Sequence, residues 1–289
     1  MQITVAWLKE KKACQEAIQE FEKKFGNEAE YQAVLDALAK ANRLNWASWL
    51  LNVAGGIDTI MRVNGDLKID GNLFFAGSIE ITGYLSAKLG IKAGWGIKAG
   101  AGIKAGWGIK AGEVIKAGWG IEAGEGIKAG EVIKAGEGIK AGAGIEAGWG
   151  IEAGAGIKAG WGIKAGEGIK AGAGIEAGAG IKAGWGIKAG EGIKAGWGIK
   201  ASWGIKAGEV IKAGWGIEAG EGIKAGEVIK AGWGIEAGEG IKAGEVIKAG
   251  ADFGIYCGLK TKISSKSKYA VVSAKKRPKN LLLGEYKTP

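Results

Sequence analysis

Isoleucine stands at every sixth residue from Ile91 to Ile247, twenty-seven times without a gap. These isoleucines open hexapeptides of the form I-(K/E)-A-G-(W/E/A)-(G/V). On an extended strand, Ile and Ala two residues apart share one face, and the Lys or Glu between them lies on the other face. The pattern therefore predicts one short strand per hexapeptide, with Ile and Ala in the core and the charged residue in solvent.

Glycine follows at the fourth and usually the sixth position, where we expect a corner because a residue without Cβ adopts conformations closed to other residues. Three strands and three corners would close a triangular coil of eighteen residues. An internal repeat supports this number, since the same eighteen letters, IKAGEVIKAGWGIEAGEG, occupy residues 109–126, 205–222 and 223–240. A strict period over more than half the chain is typical of stacked repeats, so we predict an all-β solenoid.

Two other structures would suit a glycine-rich, charged tract. A flexible low-complexity linker is one, but a linker has no reason to keep isoleucine in phase across twenty-seven hexapeptides. A membrane span is the other, but a Lys or Glu in every hexapeptide leaves no run of about 20 apolar residues. We therefore expect no membrane span.

The spacing of a large aliphatic and a small residue, as in Ile91 with Ala93 and Ile97 with Ala99, resembles that of the hexapeptide-repeat parallel β-helices. The resemblance implies a triangular parallel β-helix of the left-handed kind. A degenerate frame continues upstream and resembles bactofilin-type sequence, with apolar pairs at Met61/Val63, Leu67/Ile69, Leu73/Phe75 and Ile79/Ile81. The solenoid is therefore predicted over residues 58–256.

Residues 1–57 have helical rather than strand periodicity and are predicted to form an α-helical cap of three short helices. Thr4 is suited to cap a first helix with Trp7 and Leu8, and Gly26 would end the stretch that includes Ile18, Phe21 and Phe25. Asn27 with Glu30 has the spacing of a capping box for the second helix, and the third would start after Asn45. A solenoid needs such a cap because an open coil exposes strand edges.

The opening Trp7-Leu8-Lys9-Glu10, followed by Ala13-Cys14, is similar to that of uncharacterised bacterial and prophage repeat proteins. The similarity implies a bacterial or phage origin and no particular activity.

Residues 257–289 are predicted to be a basic C-terminal lid or tail, with one strand near Tyr269–Val272. Residues 251–289 hold nine Lys or Arg against Asp252 and Glu285, so most of the net charge of +10 lies there. The cluster Lys275, Lys276, Arg277 and Lys279 surrounds Pro278 in a predicted turn. A basic tail suits an acidic partner such as nucleic acid or a membrane surface; a solvated lid that keeps the protein soluble is the alternative.

The chain offers little for catalysis. It has no histidine, which hexapeptide-repeat acyltransferases use as general base and related enzymes use as zinc ligand. Cys14 and Cys257 stand alone, without a C-x-x-C partner, and are expected to be buried. We therefore expect no enzyme, no cofactor and no metal, and the lack of a signal peptide favours the cytoplasm.

The fifth position of the hexapeptide is the variable one, with ten Trp, eleven Glu and six Ala. Sorted by eighteen, one corner collects the candidate binding residues Trp107, Trp161, Trp197, Trp215 and Trp233. Exposed Trp rows are typical of binding surfaces, but Trp could equally cover the glycine-rich corners. Another corner collects Glu191, Glu209, Glu227 and Glu245. This row lies between two lysine rows, and we expect their opposite charge to offset the stacking of like charges.

These observations favour a non-enzymatic solenoid that serves as a protein-interaction or scaffold element, with an unidentified protein partner. Two alternatives stay open. The first is nucleic-acid binding through lysine rows, tryptophan rows and the basic tail. The second is self-association into end-to-end filaments through coil edges.

Overall fold

The computed structural model describes residues 1–258 and 270–289. They form two compact units: an N-terminal unit of Met1–Gly118 with Glu122–Glu131, and a C-terminal unit of Trp119–Ile121 with Val132–Pro289. The division falls within the strand Ile121–Ala123. The two units are described separately.

Four helices open the N-terminal unit: α1 (Val5–Glu10), α2 (Gln15–Phe25), α3 (Tyr31–Lys40) and α4 (Leu44–Ala54). Two predicted helix ends are confirmed. The Thr4 hydroxyl accepts a hydrogen bond of 3.1 Å from the Trp7 backbone N–H, and Gly26, with φ of +74°, ends α2. The prediction of three helices is wrong because the chain turns at Lys12, with φ of +58°, and separates α1 from α2.

The predicted capping box at Asn27 and Glu30 is also wrong. Glu28–Glu30 forms a strand that pairs antiparallel with Gln2–Thr4, and α3 begins after Glu30 without a side-chain cap. Backbone bonding to the N-terminal strand thus takes the place of the local cap. The helices close over a core whose fully buried side chains include Tyr31, Leu35 and Phe74, and Phe74 lies on the strand Leu73–Phe75. Burial raises the pKa of Tyr31, whose hydroxyl donates to the Gly55 carbonyl at 3.0 Å.

The rest of the N-terminal unit is a parallel β-solenoid with three sheets, numbered in chain order. Sheet I contains Ile60–Val63, Ser78–Ile81, Ile97–Ala99 and Val114–Ala117. Sheet II contains Leu67–Ile69, Leu85–Ala87 and Ile103–Ala105. Sheet III contains Leu73–Phe75, Ile91–Ala93, Ile109–Ala111 and Ile127–Ala129.

The C-terminal unit has the same three sheets, and consecutive strands of each sheet are eighteen residues apart as far as Val246–Lys248. Sheet I contains Val132–Ala135, Ile151–Ala153, Ile169–Ala171, Ile187–Ala189, Ile205–Ala207, Ile223–Lys224, Ile241–Lys242, Val271–Ser273 and Glu285–Lys287. Sheet II contains Ile139–Ala141, Ile157–Ala159, Ile175–Ala177, Ile193–Ala195, Val210–Ala213, Val228–Ala231 and Val246–Lys248. Sheet III contains Ile145–Ala147, Ile163–Ala165, Ile181–Ala183, Ile199–Ala201, Ile217–Ala219, Ile235–Ala237, Ile255–Cys257 and Leu281–Leu283.

The register confirms the triangular coil of eighteen residues. Ile169 pairs with Ile187, Lys170 with Lys188 and Ala171 with Ala189, and the other repeat strands follow the same rule. Each of the twenty-seven isoleucines is at most 2 % exposed, so the core of both units consists of stacked Ile and Ala. The charged residue between them lies on the outer face, as predicted.

The preference for glycine at the fourth position has a different physical cause from the predicted one. Among the described residues, the glycines with positive φ are Gly26, Gly55, Gly65, Gly258 and Gly284, and none of these occupies a fourth position in the Ile91–Ile247 tract. Instead, consecutive corners approach so closely that a Cβ added at Gly166 would lie 1.7 Å from the carbonyl oxygen of Gly148, eighteen residues earlier. A Cβ at the sixth-position Gly168 would lie 3.7 Å from its nearest neighbour. This difference explains why the sixth position also accepts Val.

The helices of the N-terminal unit contact the outer face and the free edge of sheet III. Gln32, on α3, accepts a hydrogen bond from the Ala76 backbone N–H at 2.9 Å and donates to the Phe74 carbonyl at 2.8 Å. Lys92 donates to the Leu44 carbonyl at 2.9 Å and to the Ser48 hydroxyl. Desolvation, together with the charge of the nearby Lys110, lowers the pKa of Lys92 to about 8.

The hexapeptide period ends with an insertion of two residues. Ala251 and Asp252 lengthen one corner, after which Phe253, Gly254 and Ile255 resume the order of the fifth, sixth and first positions. A strand does form at Val271–Ser273, near the predicted one, although Tyr269 lies outside the described residues. The strands Leu281–Leu283 and Glu285–Lys287 were not expected from the sequence. The domain boundaries at residues 57 and 256 and the left-handed sense stay predictions.

None of the helices in residues 1–258 and 270–289 is long and apolar enough to cross a membrane.

Candidate interaction surface

Three of the five tryptophans predicted as a binding row form a continuous stack in the C-terminal unit. The ring centroids of Trp197 and Trp215 are 5.2 Å apart and those of Trp215 and Trp233 are 5.0 Å apart, with planes inclined by 6° and 3°. The backbone N–H of each of the later two residues donates to the carbonyl of the residue eighteen earlier, at 3.0 and 3.2 Å. The corner after sheet II therefore aligns the rings.

Phe253 extends this stack, although it lies beyond the uninterrupted hexapeptide period from which the row was predicted. Its ring lies 5.5 Å from that of Trp233 with an interplanar angle of 14°. The signal was present, because Phe253-Gly254-Ile255 repeats the aromatic-Gly-Ile order of the hexapeptide after the two inserted residues. We call Trp197, Trp215, Trp233 and Phe253 the aromatic ladder. Each of these four residues is 41 to 54 % exposed.

The other two predicted row residues lie apart from the ladder. Trp161 is in the same column of corners, but Ala179 occupies the corner between it and Trp197. It makes no ring stack with any described residue and is 74 % exposed. Trp107 belongs to the N-terminal unit, where it is half-buried and lines a small cavity with Trp46 and the start of α4.

A second aromatic pair lies at the corner after sheet III. Trp185 and Trp203 stack with centroids 5.3 Å apart and planes inclined by 6°. Sorting by eighteen residues finds this pair too, although the neighbouring corners of that column hold Glu167 and Glu221 and break the row. The pair therefore makes a shorter apolar strip than the aromatic ladder.

The ion pairs of the solenoid run along the sheets. Lys134 with Glu152, Lys158 with Glu176 and Lys200 with Glu218 meet at 2.9, 3.2 and 2.7 Å, and each pair is eighteen residues apart. The hydrogen bond from Lys134 is the main reason why the pKa of Glu152 lies below its ordinary value.

The glutamate row does not pair with the lysines of its own coils. Among the described residues, no ion pair within 4.0 Å joins Glu191, Glu209 or Glu227 to a lysine. The lysines of sheet II that follow them make none either; they are Lys194, Lys212, Lys230 and Lys248. The expectation that neighbouring rows of opposite sign offset each other is thus not met by direct contacts. Both rows are exposed.

All four predicted basic-tail residues are exposed, and three of them contact other residues of the C-terminal unit. Lys275 forms an ion pair with Glu245, and the Lys276 backbone N–H donates to the Glu245 carbonyl at 3.3 Å. The Arg277 guanidinium lies 5.9 Å from the Tyr286 ring centroid. Pro278 is buried beside them, so residues 275–278 lie against the rest of the C-terminal unit. Of the four basic residues, Lys279 alone has no contact of these kinds among the described residues.

The two cysteines differ. Cys257 is buried, as expected, and burial raises the pKa of its thiol to about 11. Its Sγ donates to the Glu239 carbonyl at 2.8 Å. Cys14 is exposed, so the expectation that it would be buried is wrong, because it precedes α2 outside the helical core. In the parts of the chain that the structure describes, no three His, Cys, Asp or Glu converge to hold a metal.

Comparison with known proteins adds one finding. No curated protein and no solved structure matches the chain. No hexapeptide-repeat or bactofilin family model matches the repeat tract. Residues 1–54 match the family model described as the YdhT N-terminal domain. The match ends with α4, so the helical N-terminus of this chain is similar to that domain.

Proposed function

We propose that the chain is a non-enzymatic scaffold or protein-interaction element whose contact surface includes the aromatic ladder. A β-solenoid supports such a role because its stacked coils present the same residue type in a continuous column. The aromatic ladder is the observation that carries the proposal. The same proposal includes a bacterial or prophage setting, a cytoplasmic location and kinship with the hexapeptide-repeat and bactofilin proteins.

The ladder is not needed to close its corner. In the same column Ala143 and Ala179 close the corner with the same backbone hydrogen bonds, at 3.1 Å from Trp161 to Ala143 and 2.8 Å from Ala179 to Trp161. Alanine would therefore serve the fold, while four stacked aromatic rings leave a contiguous apolar strip in water. Strips of this kind are typical of protein-binding sites, and Trp is enriched among the residues that carry binding energy.

The test compares binding and stability in one triple variant, Trp197→Ala/Trp215→Ala/Trp233→Ala. Proteins that bind the wild-type chain would be captured from a bacterial lysate, and the affinity of the variant for the purified partner would be measured beside its thermal melting. We expect affinity to fall at least about tenfold with the fold retained. Trp149→Ala/Trp185→Ala/Trp203→Ala is the matched control in another column. Lower stability with unchanged affinity would assign the ladder to corner packing.

Nucleic-acid binding is the second candidate. It is favoured by four lysines of sheet II that make no ion pair within 4.0 Å in the part of the chain that the structure describes, namely Lys194, Lys212, Lys230 and Lys248. The stacking itself weighs against it, because the faces of Trp215 are covered by Trp197 and Trp233, and a base needs a free ring face. Fluorescence anisotropy with a labelled single strand at low and high salt separates the two functions. Binding that falls steeply with salt and is lost in Lys194→Glu/Lys212→Glu/Lys230→Glu would favour nucleic acid.

End-to-end filaments are the third candidate. Their formation would need free strand edges, and Gln32 occupies backbone groups at the edge of Leu73–Phe75. This contact weighs against association through that strand.

A further inference from the structure

Two columns of opposite charge stand side by side in the C-terminal unit. The glutamate ladder consists of Glu191, Glu209, Glu227 and Glu245, at the corner after sheet I. The lysine ladder consists of Lys194, Lys212, Lys230 and Lys248, on the outer face of sheet II. All eight side chains are exposed, and among the described residues no ion pair within 4.0 Å joins the two ladders.

One residue of the glutamate ladder forms an ion pair within the chain. Glu245 pairs with Lys275, which lies thirty residues away and reaches the ladder from the C-terminal segment. The three remaining glutamates have no such partner among the described residues. Lys275 thus shows that a lysine from outside the coils of the ladder can pair with one of its glutamates.

A second copy of this chain supplies lysines at the matching interval. The parallel register places successive rungs one strand spacing apart, about 4.8 Å. The charges of an extended peptide recur every second residue, about 6.6 Å apart, and lose phase with the ladder after one or two rungs. The lysine ladder of another copy has the same spacing as the glutamate ladder, so every rung meets a partner.

Symmetry selects the arrangement. A two-fold axis parallel to the two ladders sets the glutamate ladder of each copy against the lysine ladder of the other, in a self-complementary interface. A two-fold axis across the ladders would set glutamate against glutamate, which like-charge repulsion disfavours. The lysines of sheet I are less suited because the C-terminal residues 287–289 line the cleft over that sheet.

We infer that two copies associate side by side and parallel, with Glu191, Glu209 and Glu227 of each copy pairing Lys194, Lys212 and Lys230 of the other. The contact spans few coils and consists of exposed ion pairs, which are individually weak. The association is therefore weak and salt-dependent.

Analytical ultracentrifugation of the full chain at low and high salt tests this inference through charge reversal. Glu191→Lys/Glu209→Lys/Glu227→Lys should be monomeric at low salt, and so should Lys194→Glu/Lys212→Glu/Lys230→Glu. A mixture of the two should form a heterodimer, because every lysine then faces a glutamate. We expect the wild-type dissociation constant to rise about tenfold or more from low to high salt.

The matched control is Lys188→Glu/Lys206→Glu/Lys224→Glu, which makes the same charge change on sheet I and should leave the dimer intact. A wild-type chain that is monomeric at low salt would overturn the inference, as would two variants that fail to associate when mixed although circular dichroism shows both folded. If a reversed variant does not fold, the milder Glu191→Gln/Glu209→Gln/Glu227→Gln should still weaken the dimer, and an unchanged dissociation constant would also overturn it.

Discussion

Trp215 lies face to face with Trp233, with ring centroids 5.0 Å apart and planes inclined by 3°, although eighteen residues separate them in sequence. The same interval joins Ile169 to Ile187 in the core and Lys134 to Glu152 on the surface. The same eighteen-residue register therefore aligns the core side chains, the charged side chains and the aromatic rings. A substitution at any position changes the contacts of the residues eighteen before and eighteen after it.

Replacing Ile169 by Lys should destabilise the C-terminal unit by about 3–5 kcal/mol. The isoleucine is 1 % exposed, and the surrounding core of Ile and Ala offers the ammonium no partner. The control Lys170→Met alters the adjacent outward residue and should change the free energy of unfolding by less than about 1 kcal/mol. Urea unfolding measures both, and equal effects would contradict the inward assignment.

Gly166→Ala should destabilise by about 1–3 kcal/mol, because its Cβ would overlap the Gly148 carbonyl oxygen and the corners would have to move apart. Gly168→Ala, two residues away in the same corner, should change the free energy of unfolding by less than about 1 kcal/mol, since its Cβ has room. Thermal melting of the two variants tests this contrast, and the opposite order of stability would refute the corner contact.

Ser202 provides a second test of the close contact between consecutive corners. It is the one residue other than glycine at a fourth position between Ile91 and Ala249. If close corner contact is the cause of the glycine preference, Ser202→Gly relieves it and raises the melting temperature. A variant no more stable than the wild type would show that this corner has relaxed around the serine.

The sequence alone is enough to predict the solenoid, because burial of Ile and Ala on a six-residue period is a local signal. It also predicts that Trp197, Trp215 and Trp233 align, since three strands per coil fix the interval at eighteen. It cannot predict the reason for the fourth-position glycines, which depends on a carbonyl in the preceding coil. The strand Glu28–Glu30 was missed for a similar reason, because its partner Gln2–Thr4 is more than twenty residues away.

Gln32→Ala should expose the edge of the strand Leu73–Phe75. The amide group of Gln32 bonds to both Phe74 and Ala76, and its loss leaves a backbone donor and an acceptor open to pairing with another chain. We expect association or precipitation, seen as earlier elution or loss of material in size-exclusion chromatography. Asp36→Ala is the control, because it removes the hydrogen bond from Gln32 to Asp36 and leaves the edge contacts in place.

Deletion of the N-terminal helices is a stronger test of their predicted capping role. A chain that begins at Leu67 should associate or precipitate. A soluble, monomeric chain of unchanged stability would show that the helices do not serve as a cap.

Lys92 should make the stability of the helical segment depend on pH. Its pKa is about 8 in the folded state, against 10.5 for a fully solvated lysine side chain, which represents the unfolded chain. Between these values the unfolded chain holds a proton that the folded chain lacks, so the free energy of unfolding rises with pH across this window. Urea unfolding followed by helical circular dichroism at about pH 7 and about pH 9.5 should show the rise in the wild type and a smaller one in Lys92→Met. Lys98→Met, at an exposed site of the same unit, should behave as the wild type.

The two thiols should react at very different rates. Cys14 is exposed, whereas Cys257 is buried, donates to a carbonyl and has a pKa of about 11, so little thiolate forms at neutral pH. Titration with a disulfide reagent should modify one thiol per chain in the folded protein and two in denaturant. Cys14→Ser should remove the rapid phase; if it persists, Cys257 is accessible.

The identical segments 205–222 and 223–240 each correspond to one complete coil. Loss of one copy would join Gly204 to a sequence that already follows it, and gain of a third adjacent copy would place that sequence after itself. Neither event creates a junction that the chain does not already contain. Unequal recombination within the gene can therefore lengthen or shorten the protein in whole coils, and the number of rungs in each ladder becomes a heritable quantity that evolution can adjust in single steps.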